Sequence, residues 1–239
     1  MKSLGIIGGL GPMATVYLLE LIISMTDADN DQEHINSIVY NYPVIPDRTA
    51  YILDNSKPSP LPAMMEIAQK LDGFGVSVIA TPCNTAHYFY NELAESVSVP
   101  IINVLSETSN VIKAEGAKKV GIMATTGTIT TRLFQSEFEK AGIDYALPDA
   151  DGQAKVMSVI YDDIKAGKEP NMGEFYQVAQ NLRDNGCDCI ILGCTELSLI
   201  KRTHNLGAGF LDTLEVIAKR CIESCDKKVK PQYSKLITR

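Results

Sequence analysis

The sequence predicts an α/β fold built from two similar halves. Three observations lead there. Short apolar runs bounded by Gly, Pro or Asn alternate with stretches of helical period. A helix–strand–Cys unit occurs twice. The composition, 45% hydrophobic and 21% charged over 239 residues, is that of a globular protein. A chain of this length buries about 70–75% of its unfolded surface, so its core needs neither disulfides nor a structural metal.

Strands are expected over residues 4–7, 37–40, 76–80, 101–103, 120–124 and 189–192, each a short apolar run. Helices fit residues 13–25, 61–72, 106–115, 130–141, 152–166, 174–185 and 211–225, where apolar positions follow the helical repeat. Apolar strands alternating with helices mean parallel sheets covered on both faces. Residues 3–19 carry no charge and follow Lys2, in the manner of a signal peptide. Pro12 and the glycines at 5, 8, 9 and 11 break that run, and Glu20 arrives before a membrane span is complete. A buried strand, a glycine loop and a helix fit it better.

The internal repeat sets the division of the chain. A shift of 111 places Ala68, Gln69, Leu71, Gly75, Ile79 and Cys83 on Ala179, Gln180, Leu182, Gly186, Ile190 and Cys194. A shift of 116 places Gly5, Gly11 and Thr15 on Gly121, Gly127 and Thr131. Strand–turn–helix grammar alone produces some matched Gly and Leu, but it does not explain a Cys at the same strand end twice. The first lobe is expected over 1–100, completed by the C-terminal helix at about 207–239, and the second over 101–206.

The net charge of −7 argues against a nucleic-acid binder, whose affinity comes from Lys and Arg on phosphates. Six Cys in 239 residues fall well below the density of a disulfide scaffold. Reduced thiols and a cytoplasmic, membrane-free protein are expected.

Ligands of open parallel sheets bind beyond the carboxyl ends of the strands. Cys83 and Cys194 both sit at that edge, each just before residues that start a helix, Asn84-Thr85 and Thr195-Glu196. A helix N-terminus favours the thiolate, which is the basic form of cysteine. Related by an approximate two-fold, the thiols face each other across a cleft. Inversion at a carbon needs that arrangement: one group removes the proton while the other returns it from behind. Either Cys alone would read as a structural core thiol. The matched pair reads as catalytic.

These residues resemble a family. Thr81-Pro-Cys-Asn-Thr-Ala-His87 and Leu192-Gly-Cys-Thr-Glu-Leu197 are similar to the paired motifs of the cofactor-independent aspartate/glutamate racemases. Gly5-Ile-Ile-Gly-Gly-Leu-Gly-Pro-Met-Ala-Thr15, Pro46-Asp-Arg-Thr49 and Ala124-Thr-Thr-Gly-Thr-Ile129 resemble the aspartate racemase branch. The resemblance runs from the first strand to Leu197. It implies two pseudo-symmetric lobes, each a mainly parallel sheet flanked by helices, with the active site in the interlobe cleft. It also implies an isomerase without pyridoxal phosphate, other cofactor or metal, a small acidic amino acid as substrate, and a homodimer. Cys83 and Cys194 would be the two bases.

The other roles follow from the resemblance and from the two carboxylates of such a substrate. Asn84 and Thr85, with helix-start amides, suit the α-carboxylate, and Thr125 and Thr128 are the matching contacts of the second half. Arg48 and Lys165 resemble the family's anchors for the side-chain carboxylate, Arg48 because its planar fork binds carboxylate bidentately; Lys168 is an alternative to Lys165. Met13, Thr195 and Glu196 complete the expected substrate-binding set. Glutamate racemases usually open with an Asp-Ser-Gly turn and carry His after the second Cys-Thr. This chain has Gly8-Gly9-Leu10 and Glu196 there, which favours aspartate. A glutamate or broad-specificity acidic amino-acid racemase, a maleate-type isomerase and a hydantoin racemase are the alternatives within the superfamily.

Three other features of the sequence have competing explanations. His87 lies four residues after Cys83, but nucleophilic Cys/His pairs usually come from separate elements, so His87 is expected to pack or support. Gly9-Leu-Gly-Pro-Met-Ala14 satisfies a dinucleotide pattern, yet no acidic residue closes a second strand about 20 residues on. A two-lobed solute-binding module would have no need of paired thiols. His34 and His204 lack partners at metal spacing, and Cys187, Cys189, Cys221 and Cys225 are expected in the core.

Overall fold

Two parallel sheets form the frame of the computed structural model, which describes residues 2–238. The first begins with β1 (Ser3–Gly8), whose apolar run is buried on both faces. The glycine loop leads into α1 (Pro12–Met25), with Pro12 at the helical start where its missing N–H is no loss. Next come β2 (Asn36–Asn41), α2 (Arg48–Leu53), α3 (Leu61–Gly73), β3 (Val78–Ala80) and, after one tight turn, α4 (Tyr90–Glu95). The sheet order is β2-β1-β3, all parallel, with Leu4 beside Ser37 on one side and Val78 on the other.

The second half follows the same pattern. It contains α5 (Val104–Glu115), β4 (Lys119–Met123), α6 (Thr126–Thr130), α7 (Leu133–Ala141), β5 (Asp144–Ala146), α8 (Ala150–Ser158), α9 (Met172–Asp184), β6 (Cys189–Leu192), α10 (Thr195–Thr203), β7 (Phe210–Asp212) and α11 (Thr213–Ser224). Its sheet order is β5-β4-β6-β7, again parallel throughout. The expected α/β class and two lobes of parallel sheet flanked by helices are what the structure has.

Several elements differ from the sequence expectations, each for a local reason. The strand expected at 101–103 is reduced to one bridge, Ile79 to Ile101, because the next backbone groups, the Ile102 carbonyl and the Val104 N–H, lie against His87 Nε2 at 3.3 and 3.2 Å instead of continuing the ladder. The helix expected at 130–141 is two helices, broken where Arg132 takes a left-handed φ of 56°. The helix expected from 211 starts two residues later. Phe210–Asp212 is instead the edge strand of the second sheet, preceded by Gly207 and Gly209 at positive φ. Two three-residue strands, β5 and β7, are too short to leave a readable period. The helix expected over 152–166 changes geometry after Ser158: residues Val159–Ile164 form a wider turn, closed by Lys165 N–H donating to the Ile160 carbonyl at 3.0 Å.

The core joins the halves. One cluster runs from Leu4 and Leu18 through Ile122 and Phe134 to Leu211 and Ile217, with α11 against both α1 and α5. Each such side chain contributes about 1.5–3 kcal/mol on burial. Cys189, Cys221 and Cys225 lie in this cluster, and Cys187 in a second one beside α9. All six cysteines are free. Among the described residues no helix is long and apolar enough to cross a membrane.

Candidate active site

Within each sheet the strands are parallel, and residues beyond the carboxyl ends of five of them converge on one pocket. Leu10 follows β1, Arg48 follows β2, Cys83 follows β3, Thr125 follows β4, and Cys194 follows β6. They line a tight pocket that holds both thiols and leaves only about 10 Å³ of open space, the room of one water. Cys83 and Cys194 are buried, at 8% and 7% exposed.

The two thiols have opposite electrostatic partners. Cys194 Sγ donates to Glu196 Oε2 at 2.9 Å. Burial first, then the Glu196 carboxylate, pushes the Cys194 thiol well above the ordinary cysteine range, with Lys165 opposing. Cys83 instead faces the positive charge of the Arg48 guanidinium. Burial disfavours the Arg48 charge, but Cys83, Asp47 and Glu196 outweigh it and raise the pKa. Arg48 is held by the Pro46 carbonyl at 3.1 Å, and its Nε is buried with no protein acceptor among the described residues. A bound carboxylate is the natural partner for such a group.

Lys165 borders both the pocket and the outer groove. Its ammonium lies 3.4 Å from Asp47 Oδ2 and 4.2 Å from the centre of the Tyr161 ring, and its side chain stays 26% exposed. Burial lowers its pKa, but Glu196, Cys194, Tyr161 and Asp47 more than offset this and raise it. Asp47 caps α2 through the Ala50 N–H at 2.8 Å. Burial raises its carboxyl pKa, yet that bond together with Lys165 and Arg48 holds it below the usual range. The wide turn after α8 supplies both Tyr161 and Lys165, in keeping with the frequent use of such turns at functional sites.

Hydroxyls join the lobes behind the thiols. Thr85 Oγ1 is 3.0 Å from Thr125 Oγ1 and 2.9 Å from Thr128 Oγ1, and the latter two are 3.1 Å apart. Asn84 Nδ2 donates to Thr213 Oγ1 at 2.8 Å. His87 is buried and bonded to backbone: Nδ1 lies 3.0 Å from the Cys83 carbonyl, and Val104 N–H donates to Nε2 at 3.2 Å. It therefore supports the chain around Cys83 and does not face the thiol. The glycine loop is explained by packing: at Gly9, with φ of 93°, a Cβ would lie 2.4 Å from the Tyr42 backbone.

Of the residues singled out in the sequence, Arg48, Asn84, Thr85, Thr125, Lys165, Thr195 and Glu196 line the pocket with both thiols. Thr128 stands behind it, bonded to two of them. Met13 does not reach it. That side chain is 53% exposed and borders an outer groove of about 430 Å³ that opens onto Arg48, Lys165 and Glu196. Lys168 lines neither space. Asp47, Thr49, Tyr161 and Thr213 were not anticipated. Asp47 and Thr49 flank Arg48 in Pro46-Asp-Arg-Thr49, and Tyr161 precedes Lys165 by four, so both signals were present in the sequence.

The Asp/Glu/hydantoin racemase family matches residues 7–221. The chain belongs to that family. Membership places this racemase among isomerases of small amino-acid substrates. It is 32% identical to the Picrophilus torridus aspartate racemase, with a TM-score of 0.87 over 98% of each chain. It is 28% identical over 229 residues to the broad specificity amino-acid racemase of Bacillus subtilis, covering 92% of this chain and 97% of that one. A glutamate racemase of Shewanella woodyi is 26% identical over 195 residues, 74% of this racemase and 71% of its own length.

Proposed function

We propose that this racemase interconverts L- and D-aspartate by two-base proton transfer at the α carbon, without a cofactor. One observation carries the reading: two thiols share one pocket, one beside Arg48 and the other donating to Glu196. The pair differs in electrostatic setting as a base and an acid must. In one direction the Cys83 sulfur takes the α proton while the Cys194 thiol delivers its own to the opposite face. The reverse reaction exchanges the roles. Arg48 and Lys165 hold the side-chain carboxylate, the latter by giving up Asp47. Thr85, Thr125 and the amides after Cys83 hold the α-carboxylate, whose developing negative charge they stabilise. The 32% identical aspartate racemase supports this substrate. A homodimer is part of the proposal, resting on the family resemblance.

A broader acidic specificity is the second reading. The outer groove, bordered by Met13, Ile45 and Leu199 and continuous with the anchors, offers room for a longer side chain. Pure protein with L- and D-aspartate and glutamate in deuterated water, without added cofactor, separates the two. Loss of the Cα proton signal with aspartate far faster than with glutamate is expected. Comparable rates favour the broader reading, and a requirement for pyridoxal phosphate would sink both.

A further inference from the structure

We propose that Thr213 is a positioning residue that fixes the two thiol-bearing turns relative to each other; this rests on the two-thiol reading above. Thr213 opens α11, at the far end of the chain from Cys83, and is 1% exposed. Its Oγ1 donates to the Leu192 carbonyl at 2.8 Å and accepts from Asn84 Nδ2 at 2.8 Å. Asn84 directly follows Cys83, and Leu192 precedes Cys194 by two residues. One buried hydroxyl thus ties the turn of the first thiol to the turn of the second.

The chemistry of these groups also fixes which way the amide faces. A backbone carbonyl only accepts, and a hydroxyl carries one hydrogen. The Thr213 proton is given to Leu192, so its oxygen has only lone pairs to offer Asn84. Asn84 must answer with its NH₂ group, because Oδ1 in that place would set oxygen against oxygen. Oδ1 and the second N–H of Asn84 are then the groups left for a substrate. Without the Thr213 hydroxyl neither amide orientation is preferred.

The anchor is itself held. Asp212 caps α11 by accepting from Leu214 N–H at 2.8 Å, and the same oxygen accepts from Ser198 Oγ at 2.6 Å. Ser198 lies on α10, the helix that begins immediately after Cys194. Thr213 therefore sits on a rigid support that reaches Cys194 by a second route. Valine keeps the shape of the side chain and removes only the hydroxyl, leaving the Leu192 carbonyl and the Asn84 amide without this partner. Two-base chemistry does require it, because both sulfurs must address opposite faces of one carbon, and misplacing a reacting group by about 1 Å costs about 10²-fold.

The test compares T213V with T213S for kcat and KM in both directions, alongside thermal melts. T213V should lose about tenfold or more in kcat in both directions, and T213S should stay within about threefold of wild type. Both should melt cooperatively, and the loss should persist far below the melting point. Should T213V not fold, T213A takes its place against T213S. A kcat in T213V or T213A within about twofold of wild type, or an equal loss in T213S, overturns the proposal. Wild-type protein that fails to exchange the Cα proton of either enantiomer sinks the racemase reading and takes this proposal with it. A normal wild type with an unaffected T213V removes only Thr213.

Discussion

The Cys194 thiol donates to the carboxylate of Glu196 at 2.9 Å, so the second thiol is held in its protonated form in the closed pocket. Glu196→Gln removes the negative charge that, after burial, does most to raise the Cys194 pKa. Alkylation of Cys194 by iodoacetamide, followed by mass spectrometry across pH, should then set in at lower pH than in wild type. An unchanged profile would remove Glu196 as the controlling partner.

Cys83→Ala and Cys194→Ala should each abolish net racemisation, because each direction needs one thiolate and one thiol. Any residual deuterium exchange should favour opposite enantiomers in the two variants. Circular dichroism melts must accompany the kinetics, since both sulfurs are buried. Activity surviving in both variants contradicts the mechanism.

Arg48→Ala should raise KM for aspartate by about 10- to 100-fold, as a charged hydrogen bond contributes about 1.5–3 kcal/mol. Lys165→Ala should act in the same direction. Lys168→Ala should leave kinetics unchanged, because Lys168 lines neither the pocket nor the groove. Wild-type kinetics in Arg48→Ala would take that residue out of the site.

Gly127 is where α6 meets α2 from the other half. A Cβ there would stand 2.9 Å from Thr49 Oγ1 and 3.1 Å from Thr49 Cα. Gly127→Ala should therefore destabilise by about 1–3 kcal/mol and push Thr49 and its neighbour Arg48 out of place. A melt and KM equal to wild type would show that the two helices part freely.

Buried thiols make the fold sensitive to alkali. Burial, with Asp188 and Glu115 adding to it, pushes Cys189 up to about 12, whereas an unfolded cysteine titrates near 8.5. The folded state thus binds the proton more tightly. The stabilisation is fully present below pH about 8.5 and declines, by about 1.4 kcal/mol per pH unit, up to about 12. Cys189→Ala carries a pH-independent packing penalty but lacks this decline. Its stability deficit against wild type should narrow between pH 9 and 11 in urea titrations; a constant deficit contradicts the assignment.

A homodimer predicts light scattering at twice the chain mass at micromolar concentration. A mass equal to one chain would count against it.

The sequence by itself determined the alternation of buried strands and helices, because apolar period and Gly/Pro boundaries are local properties. It also determined the pairing of Cys83 with Cys194, because a repeat of 111 residues carries the same strand end twice. Asn84 and Thr85 were legible because they start a helix after Cys83, and Arg48 and Thr125 because their short motifs resemble those of the family. Only the tertiary structure decided what depends on contacts between distant segments. Lys165 rather than Lys168 reaches the pocket because the wide turn after Ser158 rotates the helix end, and the sequence has no period that marks such a turn. Met13 lies outside because α1 buries the face of Leu18 and Ile22 and turns residue 13 toward the groove. Strands β5 and β7 escaped the sequence because each is three residues with an Asp at one end, Asp144 and Asp212, whereas β3, equally short, sits in the longer apolar run 76–80. Thr213, separated from Asn84 by 129 positions, meets it only because β7 pairs with β6 in the second sheet and its end faces the turn that follows β3 in the first.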